Sequence, residues 1–225
     1  CPDVALNDPV AAEWAARLDA DVERFATDRG SMRGACIRTK WFDDQCAAFL
    51  AAFPEALGVS IGCGLNATFA RIGARTDTGR ARWIDLDLPA VIDVRRRLEA
   101  PRPNHALAVS DDNDASWVDA LDWRPGQPII LMAEASLIYV EPAIVATTLR
   151  KIADRFGVGP APARLLMDYC SPAMARNSAR HPSLRKTSGR PAFAWSFRRP
   201  DDIRRFASRY RFVEQLDVIS RSGPG

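Results

Sequence analysis

Short apolar runs alternate with amphipathic stretches along most of the chain. The continuous apolar runs, which predict strands, are residues 57–61, 81–86, 105–109, 128–133, 163–169 and 211–219. The stretches that predict helices between them are residues 66–74, 89–99, 115–121, 141–156 and 200–208. Strands without polar alternation are typical of sheets that are buried on both faces. The order of these elements therefore predicts an α/β fold with a doubly wound, mostly parallel sheet.

The first quarter of the chain has a helical pattern instead. Residues 9–28 are rich in alanine, leucine, glutamate and arginine, which favours a helix. A second apolar stripe at helical spacing consists of Phe42, Cys46, Phe49, Leu50 and Phe53. Pro54 follows it as a helix stop. We therefore expect an N-terminal helical cap region over residues 1–56 and one larger domain over residues 57–225.

The segment 171–199 has no periodicity and is rich in proline, serine and arginine. A segment of this kind inside a compact domain is typical of a lid, a binding loop or a partly disordered insert. Its basic residues include Arg176, Arg180, Arg185, Lys186 and Arg190. They would suit an acidic ligand if the segment covers a pocket, and the alternative is a solvated basic loop.

Composition and charge exclude several classes of protein. The chain has 225 residues, of which 47% are hydrophobic and 26% charged, as in an ordinary globular protein. Its longest apolar runs are too short for a membrane span. The net charge of +3 is small and its basic residues are dispersed, so nucleic acid is not an expected partner. The chain begins at Cys1 without a signal-peptide pattern, and we expect that it is a truncated record.

The cysteine and histidine content predicts neither a metal site nor a disulfide scaffold. The five cysteines form no CxxC pair, and the two histidines, His105 and His181, are far apart in the sequence. An odd number of cysteines argues against a secreted protein. We therefore expect reduced thiols in a cytoplasmic protein with no bound metal.

Two glycines mark the end of the first predicted strand. The stretch VSIGCGLNA places Gly62 and Gly64 between this strand and a helix, and Asp85 and Asp87 follow about twenty residues later. Glycine lets the backbone turn tightly and approach a ligand closely. A carboxylate accepts both hydroxyls of a ribose. The pattern predicts an adenosine-bearing cofactor beside Asp87, with a purely structural glycine turn as the alternative. Asp85 is either solvated or a supporting residue behind the site.

Two observations favour S-adenosylmethionine over NAD as this cofactor. About 56 residues of helical pattern precede the glycine strand, whereas dinucleotide-binding dehydrogenases often open with that strand. No tyrosine is followed by a lysine four residues later, and neither histidine has an obvious carboxylate partner. An NAD-dependent oxidoreductase remains the alternative.

Several stretches also resemble one family. They are IRTKWFDD at 37–44, SIGCGLNATFARI at 60–72, WIDLDLPAVIDVRRRL at 83–98, DASW at 114–117 and AEASLIYVE at 133–141. Together they resemble the leucine carboxyl methyltransferases, and within them the bacterial branch of tetracenomycin-type polyketide O-methyltransferases. The resemblance implies a Rossmann-like class I methyltransferase that uses S-adenosylmethionine.

The same resemblance implies a set of cofactor-binding residues. By position in the motifs they are Arg38, Gly62, Gly64, Asp87, Asp111 with its neighbour Asp112, and Glu134. Arg38 can pair with the carboxylate of the cofactor, and Asp111 or Asp112 can accept from the adenine amino group. Glu134 can face the ammonium or the sulfonium. The alternatives are a surface arginine, a solvated acidic turn and a helix-capping glutamate.

Two positions depart from the family pattern. Asn66 stands where an aspartate is usual, and Thr68 stands where an arginine is usual. Asn66 can still cap the following helix, but a negative charge is lost. A degenerate, non-catalytic binding module of the same fold is therefore a further alternative. We also expect that the strand that usually ends the fold is absent, because the sequence ends soon after residue 219; the alternatives are a truncated sequence and a sheet that closes differently.

The expected acceptor is a small molecule, either a carboxylate or a phenol of a polyketide-like metabolite. A carboxylate needs no general base, whereas a phenol benefits from one. No convincing base is evident, since His105 opens a strand and is better explained as structural. Tyr139 and His181 are the candidate substrate-binding residues.

Overall fold

Five parallel strands form one sheet at the centre of the molecule. The computed structural model describes residues 6–23, 28–110, 115–180, 182–187 and 192–218. The strands are β1 (Leu57–Ile61), β2 (Arg82–Asp87), β3 (His105–Val109), β4 (Ile129–Ala133) and β5 (Ala163–Met167). They lie in the order β3-β2-β1-β4-β5, and every neighbouring pair is parallel. The predicted doubly wound α/β fold is confirmed.

Helices connect the strands and cover the sheet. They are α1 (Pro9–Arg17), α2 (Arg29–Ala52), α3 (Thr68–Gly73), α4 (Pro89–Leu98), α5 (Trp117–Ala120), α6 (Pro142–Phe156), α7 (Pro172–Asn177) and α8 (Pro182–Lys186). Short 3₁₀ turns occupy Leu137–Tyr139, Ser178–Arg180 and Pro200–Arg205. Among the described helices, none is both long and apolar enough to cross a membrane.

The sheet has an apolar core on each face. All five residues of β1 and all five of β4 are buried, which agrees with their continuous apolar runs. The predicted stripe of α2 packs on one face, since Phe42, Cys46, Phe49 and Leu50 are buried there and Phe53 packs at the edge. On this face a Cβ on Gly58 would lie 2.1 Å from the Trp83 ring. The missing side chain at residue 58 therefore makes room for the indole.

Three predicted elements differ from the structure. Residues 211–218 form no strand, and β5 has no partner on its outer side among the described residues. The Tyr169 hydroxyl donates to Gln215 of this run at 2.8 Å, and a Cβ on Gly34 of α2 would lie 3.3 Å from Val218 at its end. Helix α1 is shorter than predicted because the backbone at Asp19 turns to a φ of +49°. The helix expected at 200–208 is a 3₁₀ turn, in which the Asp202 carboxylate accepts from the Arg198 amide.

Candidate active site

The glycine turn that follows β1 has the backbone geometry that the sequence pattern requires. Gly62 has a φ of +63° and Gly64 a φ of +52°, in the region that favours glycine. A Cβ on Gly62 would lie 2.4 Å from the Cβ of Ser136. The Ser136 hydroxyl donates to the carbonyl oxygen of Ile61 at 2.7 Å, which holds the serine against the turn. Residue 62 therefore has no room for a side chain, whereas residue 64 faces open space.

Asp87 connects the end of β2 to this turn. One oxygen of its carboxylate accepts from the Gly64 amide at 2.6 Å, and the other accepts from the Leu88 amide at 2.8 Å. The residue is 8% exposed. Each carboxylate oxygen can accept more than one hydrogen bond, so both can still receive a hydroxyl. The other acidic residues predicted here, Asp111 and Asp112, lie outside the described residues.

Glu134 follows β4 and joins three segments of the chain. Its Oε1 accepts from the Arg38 Nε at 3.0 Å and from the Thr39 hydroxyl at 2.6 Å, and its Oε2 accepts from the Asn66 amide at 3.0 Å. Its side chain is only 4% exposed. Glu134 therefore holds α2 and the glycine turn together, and it does not act as a helix cap. Arg38 is not a plain surface residue either.

Asn66 does not cap α3, contrary to the sequence expectation. The residue at the cap position is Ala67, which has no side-chain cap. The side-chain oxygen Oδ1 of Asn66 accepts instead from the Arg71 guanidinium at 2.7 Å and from the Thr68 hydroxyl at 3.0 Å. Because its amide also donates to Glu134, an aspartate at residue 66 would face that carboxylate without a donor. The asparagine therefore fits this network without the charge that is usual at its position.

A buried cluster of charged side chains, here called the ion cluster, contacts the backbone of the glycine turn through Arg95. Arg95 donates to Asp85 at 2.6 Å, to Glu99 at 2.8 Å and to the backbone carbonyl oxygen of Asn66 at 3.0 Å. His105 lies 2.9 Å from Asp85 and 3.1 Å from Glu99. The sequence expectation that neither histidine has a carboxylate partner was therefore wrong for His105, and its structural role is supported. Asp85 is 2% exposed, so it supports the site and is not solvated.

The charges in this cluster balance. Burial alone would lower the pKa of His105, but its hydrogen bonds with Asp85 and Glu99 outweigh burial and raise the pKa to about 9. Burial alone would raise the pKa of Glu99, but hydrogen bonds from His105 and Arg95 lower it to about 2. Two carboxylates, one guanidinium and one imidazolium thus neutralise one another. The atoms of Asp85, Glu99 and His105 are close enough to hold a metal ion, but Arg95 and the protonated His105 already neutralise the two carboxylates.

A large cavity opens beside the end of β5. Its volume is about 1330 Å³, and it extends along the outer edge of β5. Tyr139, a predicted substrate contact, lines it, and its ring lies 5.6 Å from the Phe193 ring. The segment 171–199 contributes Phe193 and Phe197 to this lining. The other predicted substrate contact, His181, lies outside the described residues.

Comparison with known proteins identifies the family. The model of the leucine carboxyl methyltransferase family matches residues 4–153, which is 150 of the 225 residues. This chain is a leucine carboxyl methyltransferase family member. As a member of this family it is a methyltransferase, and the resemblance found in its motifs is confirmed.

Similar proteins agree with this assignment. The family member is 27% identical over 218 residues to the tetracenomycin polyketide synthesis O-methyltransferase TcmP of Streptomyces glaucescens, covering 97% of this chain and 77% of that protein. The crystal structure of a candidate methyltransferase from Thermobifida fusca matches with a TM-score of 0.58 at 20% identity, covering 95% and 85% of the two chains. An O-methyltransferase family protein from Burkholderia thailandensis matches with a TM-score of 0.51 at 14% identity, covering 86% and 56%. At these identities the two structures support the fold alone.

Sequence reasoning missed one acidic residue of this family member's site. Asp168 was included in the predicted strand 163–169, but β5 ends at Met167. This places Asp168 at the carboxyl end of the sheet, where ligands of such folds bind. Asp168 directly follows the apolar run of β5, and this position in the sequence could have indicated it.

Proposed function

We propose that the protein is an S-adenosylmethionine-dependent O-methyltransferase. Its acceptor is a small molecule, a carboxylate or a phenol of a polyketide-like metabolite. Family membership supports methyl transfer. The similarity to TcmP, which is named for an O-methyl transfer in polyketide synthesis, supports the acceptor class.

The hydrogen bond between Asp87 and the Gly64 amide is the observation that carries the cofactor assignment. It places a carboxylate that can receive a ribose diol next to a turn whose backbone is open to a ligand. The strand order also reverses between β1 and β4, the position where ligands of doubly wound sheets bind. The residues present therefore fit an adenosine cofactor.

The remaining roles follow from the contacts of Arg38 and Glu134. Among the described residues, the terminal nitrogens of Arg38 make no hydrogen bond, while its Nε is held by Glu134. The guanidinium can therefore form a bidentate pair with the carboxylate of the cofactor. Burial alone would lower the pKa of Arg38, but Glu134 and Asp168 raise it, so the group stays charged. Asp111 and Asp112 remain predictions for the adenine amino group.

The cofactor, when bound, supplies an electrophilic methyl group on a sulfonium. The protein contributes mainly position, since it must hold the acceptor oxygen in line with that methyl group. The cavity beside β5 is the space for the acceptor, and Tyr139 lies in its wall. Phe193 and Phe197 support a role for segment 171–199 as a cover over this space. Helix α2, which belongs to the cap region predicted over residues 1–56, contributes Arg38 and Trp41 to the same lining.

Thermal denaturation tests this proposal. We expect S-adenosylmethionine and S-adenosylhomocysteine to raise the melting temperature, because both would bind only the folded state. NAD should leave it unchanged. Asp87→Asn should abolish the response, and Asp93→Asn, a change of an exposed carboxylate on α4, should retain it.

The opposite results discriminate between the alternatives. A shift with NAD alone would indicate an oxidoreductase. No shift with either adenosyl compound would indicate a degenerate module. A shift without methyl transfer to any carboxylate or phenol would leave cofactor binding established and the proposed acceptor refuted.

A further inference from the structure

Asn66 links the glycine turn to the residues assigned to the amino-acid part of the cofactor. Its Nδ2 donates to Oε2 of Glu134 at 3.0 Å, and its Oδ1 accepts from Arg71 at 2.7 Å and from Thr68 at 3.0 Å. Oε1 of Glu134 in turn accepts from Nε of Arg38 at 3.0 Å. A chain of hydrogen bonds therefore runs from the turn to the guanidinium of Arg38.

The orientation of the Asn66 amide is fixed by the buried cation Arg71. Its guanidinium donates to both oxygens of Asp43, which is 1% exposed, and it also pairs with Asp8. Burial alone would lower the pKa of Arg71, but Asp43 and Asp8 raise it, so the group stays charged. A guanidinium donates hydrogen bonds and accepts none. The oxygen of the Asn66 amide must therefore face Arg71, and its nitrogen must face Glu134.

Two carboxylates compete for Arg38. Its Nε lies 3.0 Å from Glu134 and 3.8 Å from Asp168, and it is hydrogen-bonded to Glu134. This preference depends on the position of Glu134, whose two oxygens are held by donors from Thr39 and Asn66. Without the donor at residue 66 the carboxylate would lose the hydrogen bond that fixes its Oε2. The guanidinium would then be free to turn toward Asp168.

The two departures from the family pattern, at residues 66 and 68, compensate each other. An aspartate at residue 66 would place an oxygen without a hydrogen opposite Oε2 of Glu134, and two carboxylates that share a buried site repel. Thr68 is 2% exposed, and its hydroxyl already donates to Asn66, so it supplies no charge that would offset a second carboxylate. Asn66 and Thr68 therefore form a consistent neutral pair, where the family pattern has an anion followed by a cation.

We propose that Asn66 is a positioning residue of the cofactor site. It holds Glu134 so that Arg38 presents its terminal nitrogens to the carboxylate of the cofactor. Asn66 acts through Glu134 and needs no contact with the cofactor itself. This inference rests on the proposed methyltransferase function, and it makes the departure at residue 66 a feature of a working site rather than of a degenerate one.

Two ligands that differ in the amino-acid part test this role. S-adenosylhomocysteine has the carboxylate assigned to Arg38, whereas 5′-methylthioadenosine keeps the adenosine and the sulfur but lacks the carboxylate and the ammonium. In calorimetry on the full chain, Asn66→Asp should weaken binding of S-adenosylhomocysteine at least about tenfold, and that of 5′-methylthioadenosine less than about twofold. The aspartate keeps the size and the acceptor of the asparagine, so the variant differs only by a lost donor and an added charge.

Asn104→Asp is the matched control. The Asn104 amide donates to the carbonyl oxygens of Thr78 and Ala81 at 2.9 and 3.0 Å. The same replacement there removes two hydrogen bonds and lowers stability. Asn104 precedes β3, at the opposite end of the parallel sheet from the glycine turn. The control should therefore bind both ligands as the wild type does.

The remaining outcomes count against the inference. Unchanged binding of S-adenosylhomocysteine by Asn66→Asp would refute it, and so would an equal loss for both ligands, which would indicate a purely structural residue. Failure of the wild type to bind either ligand would refute the cofactor assignment as well, so the two failures are distinguishable. If Asn66→Asp does not fold, Asn66→Ala removes the donor without adding a charge and should show the same selective loss.

Discussion

The buried His105 of the ion cluster leads to a quantitative prediction about the stability of the protein. The pKa of His105 is raised from 6.5 to about 9 by Asp85 and Glu99. A group whose pKa is raised on folding stabilises the fold while it is charged. This stabilisation is fully present below about pH 6.5 and is lost as the pH rises through about 9. A shift of this size corresponds to at most about 3 kcal/mol, since one pKa unit is worth about 1.4 kcal/mol.

Replacing the histidine by glutamine should remove this pH dependence. We expect the free energy of unfolding of the wild type to fall by up to about 3 kcal/mol between about pH 6 and pH 10, and that of His105→Gln to fall much less. Urea titrations followed by the fluorescence of the six tryptophans measure both proteins. His181→Gln removes the other histidine of the chain and serves as the control. Parallel stability curves for the wild type and His105→Gln would refute the ion cluster as described.

Three further changes follow from the geometry of the site and the core. Gly64→Ala should cost about 1–2 kcal/mol because of its positive φ alone. Gly62→Ala should cost more and abolish the thermal response to S-adenosylhomocysteine, because its methyl group also meets a neighbouring side chain at 2.4 Å; equal costs would contradict this. Gly58→Ala should cost about 1–3 kcal/mol in urea unfolding, because the methyl group would overlap the Trp83 ring; a neutral effect would show that the ring moves freely. Asp168→Asn should be neutral below about pH 4 and stabilising by up to about 3 kcal/mol above about pH 6, because ionisation of this carboxyl destabilises the fold as the pH rises from 3.8 to about 6; stabilisation that does not change with pH would contradict it.

The parts of the fold that local pattern determines were predicted well. Strands β1 and β4 are buried on both faces, so their apolar runs had no competing explanation. The run at 211–219 was predicted as a strand as well, but it contains charged residues and forms no strand in its described part. A strand requires a partner with a free edge in the right place, and composition contains no information about that partner. Among the described residues no strand pairs with the outer edge of β5, and this run does not occupy that edge either.

In the candidate site, too, features of a local motif were predicted and contacts between distant residues were not. Gly62, Gly64 and Asp87 stand in a local motif, and the structure brings them together as the motif implies. The partners of Arg95 and His105 come from different strands and helices, and only the strand order brings them close. Arg95 and Glu99 are the exception, because a spacing of four residues on one helix is visible in the sequence. Asp168 was missed because a strand boundary was predicted two residues too late.

Arg38 connects the two halves of the site. Its Nε pairs with Glu134, whose other oxygen holds Asn66 at the glycine turn, and it faces Asp168 across 3.8 Å. The satisfied carboxylate, Glu134, stabilises the protein, whereas the unsatisfied one, Asp168, destabilises it once ionised. Natural proteins retain destabilising groups mainly where function requires them. The two carboxylates on one guanidinium therefore have opposite effects on stability, and of the two only Asp168 lines the cavity beside β5.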